Sequence, residues 1–291
     1  MMRGWKIFII LVILAIFSLS GSYMVKNVDL EDQIVIIPLK GIILSSNGGL
    51  LNQEVVIADD VVNHINKANS NKNVKGIVLE ISSPGGTALA SKEIAQAVKY
   101  SKKPVVAWIR DVGASGAYWV ASASDIIVAD ELSITGSVGV IGSYLEFSGL
   151  MEEYGVEYQR LVGGKYKDVG SIYRDLNGNE RQLLQGKIDL IHKYFIDEVK
   201  NNRNLEVGEW SEGLFYLGSE AKGIGLVDEL GSKDLVIRLV EQKAGVKDAR
   251  IITLKKEIGF FDNLSRFFSS LGYGIGIGLK DGNSQNLVWL K

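Results

Sequence analysis

The chain has 291 residues, 46% hydrophobic and 23% charged, with a formal net charge of −2. This composition is typical of a globular protein with one large domain or two modest ones, and the near-balanced charge gives no electrostatic reason to expect a nucleic-acid partner. There is no cysteine, which excludes disulfides, thiolate nucleophiles and cysteine metal sites. We expect neither a metal nor a cofactor.

Residues 1–26 are predicted to be an N-terminal membrane anchor. Arg3 and Lys6 precede an uncharged stretch at 7–25, which Lys26 closes. At about 1.5 Å per residue, a helix of this length spans a bilayer core of about 30 Å. The positive charges before it predict a cytoplasmic N-terminus. We therefore expect a single-pass protein of the cell membrane that contacts the lipid bilayer through 7–25, with its main domain extracytoplasmic. A cleaved signal peptide is the alternative, because small residues follow a short apolar run.

After a polar linker at 27–33, strands and helices are predicted to alternate. Two strands around a turn are expected at 34–44, further strands at 76–81, 104–109, 125–129 and 157–162, and helices at 56–70, 88–101, 115–123, 179–203 and 232–244. This alternation indicates βαβ units. The continuous apolar runs of the strands indicate a largely parallel sheet that is covered on both faces. We expect an α/β domain from 34 to 250.

The remaining tail, 251–291, is predicted to carry an amphipathic helix. Apolar residues recur at helical spacing between 260 and 271 and form one apolar face. Such a face packs on its parent domain or on a neighbouring subunit, or it lies on a membrane surface. The sequence leaves these alternatives open.

Ser115 is a candidate nucleophile. It follows a predicted strand, opens a predicted helix and has small neighbours, so that a substrate can approach its Oγ. The spacing differs from a nucleophile elbow, because Ala117 stands where a second glycine is needed. By itself the pattern also fits a serine that caps a helix.

A serine nucleophile needs a base, and the only two histidines are poorly placed. His64 and His192 lie in helical stretches without a glycine or a turn that would present them to a site. A lysine can replace histidine where burial lowers its pKa from about 10.4 to about 7–8. The glycine-flanked loop 163–171 carries Lys165 and Lys167. Chemistry alone does not separate the two, and the loop also fits an ordinary solvated surface loop.

Gly85 and Gly86 directly follow a predicted buried strand. Backbone N–H groups at such a position can form an oxyanion hole, where each donor contributes about 2.7–4 kcal/mol to acyl transfer. In isolation, the segment fits an ordinary strand-to-helix turn equally well.

Five ordered motifs together resemble the signal peptide peptidase A family, short single-repeat Ser/Lys proteases with the Clp/crotonase fold. The motifs lie at 82–86, 113–118, 134–142, 164–168 and 216–231. The resemblance implies an α/β fold of repeated ββα units after one transmembrane helix. It also implies a ring-like homo-oligomer that acts on cleaved signal peptides and other hydrophobic peptides.

By that resemblance, Ser115 is the nucleophile and Lys167, the second lysine of its loop, is the general base. Ser137 matches the family serine that hydrogen-bonds the lysine nitrogen. A hydroxyl suits this role, because a carboxylate would raise the pKa of the lysine. The oxyanion region corresponds to Gly85, Gly86 and the backbone N–H of Gly116. Leu214 stands where the family often has arginine, and residues 171–178 follow the pattern only loosely.

The sequence therefore predicts a membrane-anchored serine endopeptidase that works through an acyl-enzyme. One alternative is a catalytically silent, membrane-tethered scaffold of the same fold, and the intact Ser/Lys pair argues against it. The other is a crotonase-type acyl-CoA enzyme, which would require a cytoplasmic domain.

Overall fold

The structure is a computed structural model that describes residues 31–46 and 54–254. The predicted anchor at 7–25 and the amphipathic part of the tail at 260–271 lie outside these residues. Among the residues described, no helix combines the length and the apolar character needed to cross a membrane.

The strands and helices alternate as predicted. The strands are β1 (Gln33–Lys40), β2 (Ile42–Leu44), β3 (Val55–Ile57), β4 (Val74–Ser83), β5 (Val105–Ala114), β6 (Ile126–Ala129), β7 (Ile134–Gly136), β8 (Phe215–Leu217), β9 (Glu229–Leu230) and β10 (Arg250–Thr253). The α-helices are α1 (Ala58–Ser70), α2 (Ala88–Lys99), α3 (Gly116–Ser122), α4 (Ser148–Glu153), α5 (Gly178–Arg203), α6 (Gly218–Gly223) and α7 (Lys233–Ala244). A 3-10 helix covers Glu209–Ser211.

The main sheet has the strand order β10-β1-β4-β5-β6-β9 and is parallel along this path. On one face, Val78 and Val106 pack against Val236 of α7 in a buried cluster. Side chains alternate along a strand, so Ile77 and Leu79 of β4 point to the opposite face, and they are also fully buried. Both faces of the sheet are therefore covered, as the continuous apolar strands predicted.

The sheet branches at β5, and this branch positions the candidate site. The first half of β5 pairs with β6, whereas its last three residues, 112–114, pair with β7. β8 then pairs antiparallel with β7. The branch places the end of β5, and the residue that follows it, beside the end of β7.

Several predicted elements differ from the structure. β5 continues to Ala114, past its predicted end at 109, and β3, β7, β8, β9 and β10 have no predicted counterpart. Residues 157–162 form no strand, and no strand pairs with them within the described chain. A lone extended segment on the surface lacks the neighbouring strands that stabilise a strand, and residues 157–161 are exposed. At the other end, β10 pairs with β1, so that the sheet continues to Thr253, past the predicted domain end at 250.

Candidate active site

Ser115 lies at the junction of β5 and α3. Its φ of 53° is in the left-handed region, which costs a non-glycine residue about 1–3 kcal/mol. Two hydrogen bonds hold it there. Its N–H donates to the carbonyl of Gly136 at 2.9 Å, and its carbonyl accepts from the N–H of Trp119 at 3.0 Å.

The side chain of Ser115 is partly exposed. Although Ser115 occupies the position before α3, its hydroxyl makes no capping hydrogen bond to any described residue. Its Oγ atom has no other hydrogen-bond partner among the described residues either, while the backbone that carries it is constrained. This geometry fits a nucleophile better than a capping serine, which would use its oxygen on the helix.

Of the glycines predicted for the oxyanion region, Gly85 lies against Ser115 and Gly86 lies against β2. Gly85 has a φ of 100°, and a Cβ atom there would lie 2.7 Å from the nitrogen of Gly116 and 3.0 Å from the Cβ of Ser115. A Cβ atom on Gly86 would lie 1.9 Å from the carbonyl oxygen of Ile43 in β2. Glycine is therefore required at both positions for the loop to fit between β2 and the start of α3.

Two backbone N–H groups beside Ser115 have no acceptor in the described part of the chain, those of Gly86 and Gly116. Gly116 begins α3, and the first N–H groups of a helix have no partner within it. The N–H of Gly86 is left without an acceptor because the backbone of Ile43 pairs with the residues before and after Gly86. A Cβ atom on Gly116 would lie 3.3 Å from the nitrogen of Gly86, so the two donors are close together, and unpaired donors beside a nucleophile can stabilise an oxyanion.

The N–H of Gly85 has a different role, because it donates to the Oγ of Ser83 at 3.1 Å. Gly85 therefore supplies space and a positive φ, and its N–H is not free. The motif did not distinguish Gly85 from Gly86. The distinction depends on which of the two pairs with its surroundings.

Ser137 directly follows β7, next to the residue that accepts the hydrogen bond from Ser115. Its φ of 51° is also left-handed, and its N–H donates to the carbonyl of Leu214 at 2.7 Å. Because that contact uses only the backbone of Leu214, the departure from the family's arginine leaves it intact. The branch at β5 thus brings Ser137 to the site.

Lys167 lies in a different environment. Its N–H donates to the carbonyl of Gly164 at 3.1 Å in a turn, and its side chain is exposed. No hydrogen bond or ion pair between described residues joins Lys167 to Ser115 or Ser137. The structure therefore brings the two serines and the glycines together without adding the lysine to them.

The neighbours of Lys167 distinguish it from Lys165. The Nζ of Lys165 lies 4.9 Å from the centroid of the Tyr166 ring, within the distance of a cation–π contact. Asp168, adjacent to Lys167, binds arginines instead. Its Oδ2 accepts from the Nε of Arg160 at 2.6 Å.

Asp168 also accepts from the Nε of Arg174 at 3.0 Å. Hydrogen bonds from Arg160 and then from Arg174 hold the pKa of Asp168 well below its usual range. The carboxylate nearest to Lys167 in sequence is thus already paired. This matters for a lysine base, because a carboxylate partner would favour its protonated form.

Sequence reasoning missed this arginine cluster, although one signal for it was visible. Asn177 and Glu180 have the spacing of a capping box, and the structure forms that box at the start of α5. Neither histidine has a hydrogen bond to Ser115 among the described residues. His64 lies on α1, whereas the Nε2 of His192 lies 3.0 Å from the carbonyl oxygen of Val138, the residue after Ser137.

Comparisons with known proteins identify the family. Residues 97–247 match the model of peptidase family S49, and residues 42–127 match that of Clp protease. A Methanocaldococcus jannaschii protein named as a protease is 35% identical over 279 residues, which cover 92% of this chain and 87% of that protein. An Enterococcus faecium protein named as a signal peptide peptidase is 31% identical over 249 residues, which cover 81% of this chain and 72% of that protein.

A solved structure shares the fold. It is a variant of a membrane-bound stomatin-specific protease in complex with a substrate peptide, with a TM-score of 0.54 and 17% identity, covering 82% of this chain and 99% of that one. The family match spans more than half of the chain and includes Ser115, Ser137 and Lys167. The resemblance indicated by the five motifs is thereby confirmed: this chain belongs to peptidase family S49.

Proposed function

We propose that this peptidase is a membrane-anchored serine endopeptidase that uses a Ser115–Lys167 dyad on hydrophobic peptides, including cleaved signal peptides. One observation carries the proposal. Within the described residues, Ser115 combines a constrained backbone and a free Oγ with two neighbouring unpaired N–H groups, those of Gly86 and Gly116. Family membership leaves the acyl-CoA alternative without support.

In the proposed mechanism, the Oγ of Ser115 attacks the peptide carbonyl while the Nζ of Lys167 accepts its proton. The N–H groups of Gly86 and Gly116 stabilise the oxyanion that forms. The carbon–nitrogen bond then breaks, the amine leaves with the proton, and the acyl group stays on Ser115. Water attacks this ester while the lysine accepts its proton, the bond between the acyl carbon and Oγ breaks, the carboxylic acid leaves, and the lysine returns the proton to the Oγ of Ser115. In this scheme the hydroxyl of Ser137 orients the lysine nitrogen.

The surface beside the site supports an apolar substrate. The β7–β8 ribbon leads to Ser137 and exposes Ile134, Phe215 and Leu217, with Phe215 68% exposed. Exposed apolar side chains grouped next to a catalytic group are a common basis of specificity for hydrophobic ligands. We propose that side chains of the peptide pack on this ribbon.

The dyad requires Lys167 to meet a Ser115, and a homo-oligomer is the proposed means. The segment before Lys167 exposes large apolar side chains, among them Ile141 at 92% and Leu161 at 97%. Apolar surface of this kind often marks a protein–protein contact. In an oligomer that covers it, Lys167 serves the Ser115 of its own chain or of a neighbouring one.

The first test is the hydrolysis of a hydrophobic peptide by the full chain. Ser115→Ala and Lys167→Ala should each lower kcat/KM by at least about 10³-fold, and Lys165→Ala is the matched control with near wild-type activity. An active Lys167→Ala with an inactive Lys165→Ala would show that the base assignment is wrong. A serine-reactive probe that leaves Ser115 unlabelled would favour the silent scaffold.

A second test asks which chain supplies the lysine. Ser115→Ala and Lys167→Ala chains are purified separately, mixed and allowed to reassemble. Recovered activity means that Lys167 acts on a neighbouring Ser115, and no recovery in a mixture shown to co-assemble means that both act within one chain. Membrane fractionation of the full chain against a chain without residues 1–26 tests the anchor.

A further inference from the structure

The loop that carries Lys167 is held by charges. Residues 163–167 are exposed, but Asp168, the residue that follows them, belongs to a cluster of acidic and basic side chains. Asp168 accepts from Arg160 at 2.6 and 2.8 Å, and from the Nε and Nη2 of Arg174 at 3.0 and 3.1 Å. We call Arg160, Asp168, Arg174 and Glu180 the Arg174 cluster.

Arg174 is the centre of this cluster. Its guanidinium reaches Asp168 on one side and both carboxylate oxygens of Glu180 on the other, each at 2.8 Å. Its Nη2 also donates to the backbone carbonyl of Asp168 at 3.2 Å. The planar fork of arginine can serve two carboxylates at once, which the single ammonium of lysine cannot reproduce. The backbone immediately after Lys167 is thereby bonded to one side chain.

Glu180 connects the cluster to a rigid helix. Its exposed fraction is only 3%, and its carboxylate also accepts from the N–H of Asn177 at 3.2 Å in the capping box of α5. Further along α5, the ring of Phe195 stacks on Trp119 of α3 with centroids 4.4 Å apart. Because α3 starts directly after Ser115, one helix serves as the support for both the lysine loop and the serine helix.

We propose that Arg174, by bridging Asp168 and Glu180, positions Lys167 for catalysis. The inference rests on the proposed function, in which Lys167 is the base. Arg174, Asp168 and Glu180 are positioning residues, since they act through the loop. The cluster fixes the loop to its own domain, so it acts in the same way whichever Ser115 the lysine serves.

The test uses Arg174→Lys and Glu180→Gln in the full chain. Arg174→Lys keeps the positive charge but loses the planar guanidinium that binds two carboxylates. Glu180→Gln keeps an oxygen that can accept the hydrogen bond of the capping box but loses the negative charge. Each should lower kcat on a hydrophobic peptide by about 10²-fold, the scale expected for a misplaced catalytic group, and leave KM nearly unchanged. Lys193→Gln is the control, since it breaks the exposed ion pair with Asp197 on the same helix and should leave kcat unchanged.

Amide hydrogen exchange of residues 164–171 gives a readout that is independent of activity. Exchange there should accelerate in Arg174→Lys and Glu180→Gln, while the strands of the main sheet keep their protection. Faster exchange with unchanged kcat would overturn the proposal, as would unchanged exchange and kcat. If Lys167→Ala is inactive while both variants keep wild-type kcat, only the positioning role fails. If Lys167→Ala is active, the base assignment fails, and the positioning role with it.

Discussion

The two members of the proposed dyad lie in regions of opposite character. Ser115 is followed by Ala117 and Tyr118, both fully buried, and its backbone is hydrogen-bonded on both sides. Lys167 lies in an exposed loop that ion pairs attach to α5. Packing and backbone pairing set the first position, and charges at the surface set the second. The difference implies that the backbone around Ser115 tolerates almost no change, whereas the loop that carries Lys167 responds to pH and salt.

The largest expected effect is on stability, and it compares one glycine from each of the two regions, Gly86 near Ser115 and Gly163 in the loop of Lys167. In Gly86→Ala the new Cβ atom would lie 1.9 Å from the carbonyl oxygen of Ile43, and backbone yields less than a flexible side chain. The cost should exceed the ~1–3 kcal/mol of ordinary overpacking. In Gly163→Ala, a Cβ atom has nothing described within 4 Å. Chemical denaturation should show a large loss of unfolding free energy for Gly86→Ala only. Equal losses would contradict the contrast.

A smaller effect tests the packing beneath Ser115. The hydroxyl of Tyr118 donates to the carbonyl of Leu226 at 2.8 Å, and the side chain is fully buried. Tyr118→Phe leaves that carbonyl without its donor, which should cost about 1–3 kcal/mol of unfolding free energy. Tyr100→Phe is the matched control, because Tyr100 is 76% exposed. A Tyr118→Phe chain as stable as the control would show that this hydrogen bond is not needed.

The smallest expected effect is a pH dependence in the lysine loop. Arg160 and Arg174 lower the pKa of Asp168, and Arg174 lowers that of Glu180. Carboxylates with a lowered folded-state pKa add stability that is fully present above their unfolded values of about 4 and lost as the pH falls through the folded values. Asp168→Asn should therefore lower the thermal midpoint at pH 7.

That deficit should begin to shrink once the pH falls below about 4, because the unfolded chain then takes up a proton that the folded ion pairs exclude, and it should go on shrinking toward the lower folded-state pKa. Circular dichroism melts across this range provide the measurement. Asp197→Asn, which removes an exposed ion pair on α5, is the control and should change the midpoint little at any pH. A deficit that is constant with pH would mean that Asp168 acts by packing and not by charge.

The predictions from sequence succeeded where the signal is local. The helices at 179–203 and 232–244 and the strand at 125–129 appear within a residue or two of their predicted ends, because apolar spacing and glycine punctuation are read over short windows. The strand at 157–162 is wrong, because a strand depends on neighbours that its own residues do not encode.

The sequence by itself determined the α/β class, the largely parallel sheet and the family, since motif order and apolar patterns are properties of the chain. It also identified Ser115 and Lys167 as the candidates to test. Only the tertiary structure decided that Ser115 has a positive φ, that the N–H of Gly85 is bonded, and that the Oγ of Ser115 and the N–H of Gly86 have no partner among the described residues. These features arise from the branch at β5 and from pairing with β2. They join residues far apart in the chain, and no local pattern specifies them.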